Sequence, residues 1–181
     1  MRLVLTDRDG VLNEDRPEGV RRPEELALIP GAAAALRRLN RAGIPVALIT
    51  NQSAVGRGWI SAAELAAIHR RLERELAHAA ARLDLILCAT DAPAQAGPRR
   101  KPGPGMLLEA MTRFGVAAAD AVMIGDDLCD LEAAAAAGCR RILVRTGKGA
   151  ALAVAGVPGR LEPVELCDNF ATVVERLLGP A

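Results

Sequence analysis

A chain of 181 residues, half of them apolar and with a formal net charge of +1, has the size of one well-buried core, since domains typically run to about 100–200 residues. Lys and Arg are spread along the chain, which leaves no broad positive field for nucleic acid or an anionic membrane, and with no Tyr, one Trp and two Phe there is little to stack on bases. No run approaches the roughly 18 consecutive apolar residues of a membrane span, and Met1 leads into an apolar run without a cleavable leader. These features predict a single domain over residues 1–181, cytoplasmic and monomeric.

In chain order, the first predicted element is a strand at 2–6. Pro30-Gly31 opens a helix over 31–42 that Gly43 closes, and a second strand covers 45–49. Ser61 and Glu64 have capping-box spacing at the head of a helix over 61–81. A strand at 84–88, a helix over 104–115 and a strand at 121–124 follow. The helix over 129–137 is rich in alanine, which suits close packing on a sheet, and Gly138 is its C-cap. A strand at 141–145 comes next, and an amphipathic helix from Phe170 to Leu178 closes the chain. Short strands rich in Val, Ile and Leu, alternating with helices, predict an α/β doubly wound, Rossmann-like parallel sheet with helices on both faces. The stretches 13–30, 51–60 and 89–103 read as loops around the strand ends, too short for a separate cap domain.

The chemistry sits at those strand ends. Asp7 and Asp9, in Leu-Thr-Asp-Arg-Asp-Gly-Val-Leu-Asn, can converge on one hard cation, leaving one carboxylate to attack phosphorus and the other to handle a proton. The next strand ends on Thr50, whose hydroxyl and N–H can hold a phosphoryl oxygen. Arg99-Arg100-Lys101-Pro102 offers a fixed cation, and Gly125-Asp126-Asp127 puts further carboxylates where open parallel sheets bind ligands. His69 and His78 lie in the 61–81 helix, away from every strand end, and read as structural. Cys88, Cys129, Cys139 and Cys167 lack paired-ligand spacing and read as buried small hydrophobes.

In this order the four elements resemble the haloacid dehalogenase superfamily of aspartate-nucleophile phosphatases, over Leu3 to about Lys148. The resemblance implies Asp7 as nucleophile and Asp9 as general acid and base. It implies Mg²⁺ held by the carboxylates of Asp7 and Asp126 and the backbone carbonyl of Asp9, with Thr50 and Lys101 on the transferring phosphoryl group. Asn51, Gln52 and Ser53 are expected to hydrogen-bond substrate, and Arg57 and Arg100 to reach a second anionic group. Asp127 is expected to face substrate or support the metal from an outer position, Asp130 to favour a helix N-terminus, and Lys148 to make a distal contact.

Within the superfamily, Asp-Arg-Asp-Gly-Val-Leu-Asn, Thr-Asn-Gln-Ser-Ala-Val-Gly-Arg-Gly, Arg-Lys-Pro-Gly-Pro-Gly-Met and Val-Arg-Thr-Gly-Lys-Gly are similar to the heptose-1,7-bisphosphate 7-phosphatases and their histidinol-phosphatase relatives. Many of the former carry a zinc loop, Cys-x-His then Cys-x-Cys. Here only Cys88 of that set is present, so no structural zinc is expected. The expected partner is a small phosphate ester. A histidinol-phosphate or other sugar-phosphate phosphatase, a polynucleotide 3′-phosphatase, and a phospho-accepting or metabolite-binding module without turnover are the alternatives.

Overall fold

The computed structural model describes residues 1–180. The chain runs β1 (Leu3–Thr6), α1 (Ala32–Arg41), β2 (Val46–Asn51), α2 (Ser53–Gly56), α3 (Ala62–His78), β3 (Leu85–Ala89), α4 (Gly105–Phe114), β4 (Ala121–Gly125), α5 (Leu128–Ala137), β5 (Arg140–Val144), α6 (Gly149–Ala155), β6 (Glu165–Cys167) and α7 (Phe170–Leu178). The strands form one sheet in the order β3-β2-β1-β4-β5-β6, and every neighbouring pair is parallel. The fold is therefore the doubly wound α/β class that the alternation implied.

Alternation along β1 divides the core. Val4 packs with Val46, Leu48, Val122 and Ile124 under the apolar faces of α1, α3 and α7. Leu3 and Leu5 point the other way, with Ile49 and Met123, toward α4 and α5. On that second face Ala133, Ala134 and Ala137 are buried, and their small side chains let α5 lie close to the sheet. Both predicted caps are present. Ser61 accepts from the Glu64 N–H at 3.2 Å while Glu64 reaches back to Ser61, and Gly138 ends α5 in the left-handed conformation.

Three elements exceed the sequence expectation. The edge strand β6 is only three residues long, α6 is one alanine-rich pair of turns, and α2 is a single turn inside the expected 51–60 loop. The 13–30 segment is also more ordered than a bare loop. Asn13 bridges Leu28, and a 3-10 turn spans Pro23–Glu25.

Candidate active site

The crevice forms where β1 parts β2 from β4, the point at which strand order reverses and open sheets bind ligands. The Asp7 N–H donates to the Ile124 carbonyl at 3.0 Å, so the residues just past β1 and β4 are held side by side. Carboxylate oxygens of Asp7, Asp126 and Asp130 lie within 4.8 Å of one another. Glycines around the cluster permit this crowding. Gly10 has φ +75°, and a Cβ there would lie 2.2 Å from Asp126 Oδ2; a Cβ on Gly125 would lie 2.4 Å from the Asp130 carboxylate. Asp130 is buried, and its Oδ2 accepts from the backbone N–H groups of Asp126 at 3.2 Å and Asp127 at 3.0 Å.

Lys101 crosses beneath these carboxylates from the far side. Its buried ammonium lies 3.0 Å from Asp7 Oδ1 and 2.6 Å from Asp130 Oδ1, and donates to the Ile49 carbonyl at 2.8 Å. Burial pushes Asp7 up to about 7; Lys101 opposes the shift, while the charges of Asp130 and Asp9 add to it. Burial, then Asp7 and Asp130, push Asp126 up to about 8. Burial alone would depress Lys101, but Asp130 and Asp7 hold it well above the ordinary lysine range.

Three carboxylates around one ammonium leave an excess of negative charge that a divalent cation would relieve. The donors fit a hard one. Asp7 Oδ1 accepts the Arg8 N–H at 2.7 Å and Asp126 Oδ2 accepts the Lys148 N–H at 2.9 Å. Among the described residues the other carboxylate oxygens, Asp7 Oδ2 and Asp126 Oδ1, accept no hydrogen bond, and neither does the Asp9 carbonyl.

Asp9 has a different setting, built by a residue that sequence reasoning passed over. Arg8 is fully buried. Its Nη2 lies 3.0 Å from Asp9 Oδ2 and donates to Gln52 Oε1 at 2.9 Å. Asn13 Nδ2 donates to Asp9 Oδ1 at 2.9 Å and Gln52 Nε2 to Oδ2 at 2.8 Å. Burial would raise the Asp9 carboxyl, but the Arg8 charge and the bonds from Asn13, Gln52 and Arg8 outweigh it and hold the group below its usual range. The sequence held a clue to Arg8: an arginine flanked by two aspartates is one of the few that can be buried with its counter-charge already adjacent.

A cavity of about 380 Å³ opens above this floor. Asp7, Asp9, Asn51, Gln52, Ser53, Arg57, Arg100, Lys101, Asp126, Asp127 and Lys148 all reach it, as do Asp15, Arg16, Glu18 and Trp59, which the sequence did not single out. Four of the expected side chains also make contacts within the protein. Thr50 is buried behind the wall, and its Oγ1 accepts from Gln52 at 2.9 Å, leaving the hydroxyl proton to be donated. Asn51 grips the Lys101 backbone, accepting from its N–H at 3.1 Å and donating to its carbonyl at 2.9 Å. Gln52 is committed to Asp9, Arg8 and Thr50. Asp127 caps α5 through the Cys129 N–H and pairs with Lys148 at 2.8 Å. These contacts tie Asn51 to the Lys101 backbone and Gln52 to Asp9, and they satisfy the Lys148 charge within the protein. His69, expected to be remote from the strand ends, lies within electrostatic reach of Arg8 and Asp9; burial and the Arg8 charge push it down to about 4.

A crowded acid cluster at the β1/β4 crevice, with a second carboxylate two residues on and a buried lysine behind, makes the candidate active site of a hydrolase. Two family models agree: one described as haloacid dehalogenase-like hydrolase matches residues 4–81, and one described as HAD-hydrolase-like matches residues 98–173. The chain belongs to the haloacid dehalogenase-like hydrolases. It is 41% identical to the D-glycero-beta-D-manno-heptose-1,7-bisphosphate 7-phosphatase of Bordetella bronchiseptica over the full length of both chains. To the enzyme of that name from Pseudomonas putida it is 36% identical, over 98% of this chain and all of the relative. Among solved structures, the D,D-heptose 1,7-bisphosphate phosphatase of B. bronchiseptica in complex with magnesium and phosphate superposes with a TM-score of 0.94, at 40% identity and full coverage of both chains. The Burkholderia thailandensis enzyme gives 0.77 at 34% identity, over 99% of this chain and all of that one. Among the described residues no helix is long and apolar enough to cross a membrane.

Proposed function

We propose that this chain hydrolyses the 7-phosphate of D-glycero-β-D-manno-heptose 1,7-bisphosphate. The observation that carries this reading is the 41% identity, end to end, with a relative named for that reaction. The site supplies the parts the chemistry needs. Phosphate monoesters resist unaided hydrolysis, so catalysis depends on a positioned nucleophile, charge neutralisation and a proton source.

Asp7, held by Lys101 and by the Arg8 N–H, attacks phosphorus, and the bond from phosphorus to the sugar oxygen breaks. Asp9 gives its proton to that leaving oxygen. It then takes a proton from the water that attacks the aspartyl-phosphate, and inorganic phosphate leaves as the bond to Asp7 breaks. With Arg8, Asn13 and Gln52 around it, Asp9 rests as a carboxylate, ready for the second step. An incoming phosphate dianion raises its proton affinity, as any nearby like charge does, and so prepares it for the first. Lys101 neutralises charge on the transferring oxygens, and the Thr50 hydroxyl has its proton free to donate to one of them. Mg²⁺, held by Asp7, Asp126 and the Asp9 carbonyl, would screen the nucleophile from the phosphate it attacks.

The chain works as one domain without a cap in this reading, so selection falls to the loops around Arg57 and Arg100. Phosphate release from the heptose bisphosphate, histidinol phosphate and common hexose phosphates tests it. Preference for histidinol phosphate would replace the substrate, and no release from any of them, with Mg²⁺ present, would overturn the enzymatic reading.

A further inference from the structure

The only tryptophan of the chain, Trp59, is half exposed and lines the cavity. A lone exposed apolar side chain is ordinary, but polar groups that converge on one inside a ligand-sized cavity are placed to fix a ligand's orientation. Two guanidinium groups do so here. Arg57 lies with its central carbon 5.0 Å from the indole centroid and Arg21 with its own at 4.4 Å, both inside the distance at which a cation is drawn to an aromatic face. They come from different loops, Arg21 from the segment after β1 and Arg57 from the turn that ends α2.

The two arginines differ in charge balance. Arg21 is met by Glu18 at 3.1 Å. Arg57 has no carboxylate or hydrogen-bond partner for its side chain among the described residues, yet its backbone is fixed. Its N–H donates to the Ser53 carbonyl at 2.9 Å, and the Trp59 N–H donates to the Ala54 carbonyl at 2.8 Å. A hydrogen-bonded turn therefore presents an uncompensated cation whose long side chain is steadied by an aromatic ring. The neighbouring rim carries Asp15 and Glu18, which would repel a second phosphate wherever no such cation stood.

We propose that Trp59 is a specificity-determining positioning residue: it holds Arg57 at the rim so that its guanidinium meets the distal phosphate of a doubly phosphorylated sugar. This rests on the reading of the chain as a sugar-bisphosphate phosphatase. Arg21, tied to Glu18, braces the ring from the first loop and joins the two loops over the distal group. A flexible arginine pinned before binding loses less freedom when it meets its anion, so the effect falls on binding of bisphosphates.

The test compares the heptose 1,7-bisphosphate with p-nitrophenyl phosphate, which has no distal anion. Trp59→Ala should raise the KM for the bisphosphate roughly 3- to 10-fold relative to that for the aryl phosphate, with kcat little changed, as loss of one cation–aromatic contact implies. Trp59→Phe, which keeps an aromatic face, should recover most of the preference. Because the chain has one tryptophan, its fluorescence reports the same event. Adding the bisphosphate to Asp7→Asn protein should change the emission, and Arg57→Ala in that background should abolish the change. An unaltered ratio of KM values in a folded Trp59→Ala protein, or emission that ignores the bisphosphate, would overturn the proposal. Failure of the underlying reading looks different: wild-type protein would then show no preference for the bisphosphate at all.

Discussion

Asp7 and Asp9 stand two residues apart on one strand end, and the protein drives them in opposite directions. Asp7 shares a buried cluster with Asp126 and Asp130, and burial lifts it to about 7 despite Lys101. Asp9 has Arg8, Asn13 and Gln52 around it and is held below the usual carboxylate range despite burial. Identical side chains thus acquire opposite shifts in proton affinity from their neighbours alone, which is how paired carboxylates come to divide a reaction. The first half of the site sets three carboxylates against the single ammonium of Lys101, and that excess of negative charge fits a metal. The second half has its cation built in.

The largest expected effect breaks the first half at its nucleophile. Asp7→Asn should reduce turnover by at least about 10³-fold, since an amide cannot carry the phosphoryl group. The fold should survive, because the change removes a like charge from a crowded cluster. Residual activity above that level, measured by steady-state phosphate release, would place the nucleophile elsewhere. Arg8→Ala attacks the second half. Removing one partner of a buried pair leaves Asp9 without its counter-charge and should cost about 3–5 kcal/mol of stability, read by denaturant unfolding. The acid limb of the activity profile should move to higher pH as Asp9 loses the charge that depresses it. An unfolding midpoint equal to that of the wild type would show that Arg8 is solvated and not structural.

Much of this contrast was legible in the sequence, and what was missed has a physical reason. Strand-end aspartates, the Thr50 and Lys101 positions and the alternation of strands with helices follow from local patterns that a parallel sheet must display. Side-chain partners across strand ends do not. Gln52 and Asn51 look like free amides facing substrate, and only their distances to Asp9 and to the Lys101 backbone reveal their partners within the protein. Arg8 was overlooked because arginines are rarely buried, and Trp59 because a single aromatic in a loop carries no periodicity. The edge strand Glu165–Cys167 has too few residues to show a pattern.

A smaller effect sharpens the boundary between support and substrate contact. Gln52→Leu removes the donor to Asp9 Oδ2 and the acceptor for Arg8 Nη2. Loss of a hydrogen bond to a charged group is worth about 1.5 kcal/mol or somewhat more, so kcat/KM should fall about tenfold. The loss should be equal for the bisphosphate and for an aryl phosphate, because Gln52 acts through Asp9. A loss confined to the bisphosphate would return Gln52 to direct contact with the sugar, the role its sequence position suggested.

The smallest effect separates the two halves by pH. Asp7 and Asp126 have folded-state values raised to about 7 and about 8, far above those of unfolded aspartates. Between those limits the metal-free native state holds protons that the unfolded chain has already lost, so stability falls as pH rises through the window. Asp9, shifted the other way, is ionised in both states there and contributes no slope. His69 is depressed to about 4 from an ordinary 6.5, so it adds stability with rising pH, but only below about 6.5, where an unfolded histidine still binds protons. Thermal unfolding of metal-free protein between about pH 6.5 and 8 therefore isolates the acid cluster, and the midpoint should drop by a few degrees, at about 2–4 °C per kcal/mol for a chain of this size. Mg²⁺ needs the deprotonated carboxylates, so it should raise the midpoint more at pH 8 than at pH 6.5, and Asp126→Asn should flatten both responses. Prior treatment with a zinc-selective chelator should leave them unchanged, since only Cys88 of the zinc-ligand set is present. A Mg²⁺ response as large at pH 6.5 as at pH 8 would show that Asp7 and Asp126 are already ionised in the free protein, and that Lys101 alone balances the cluster.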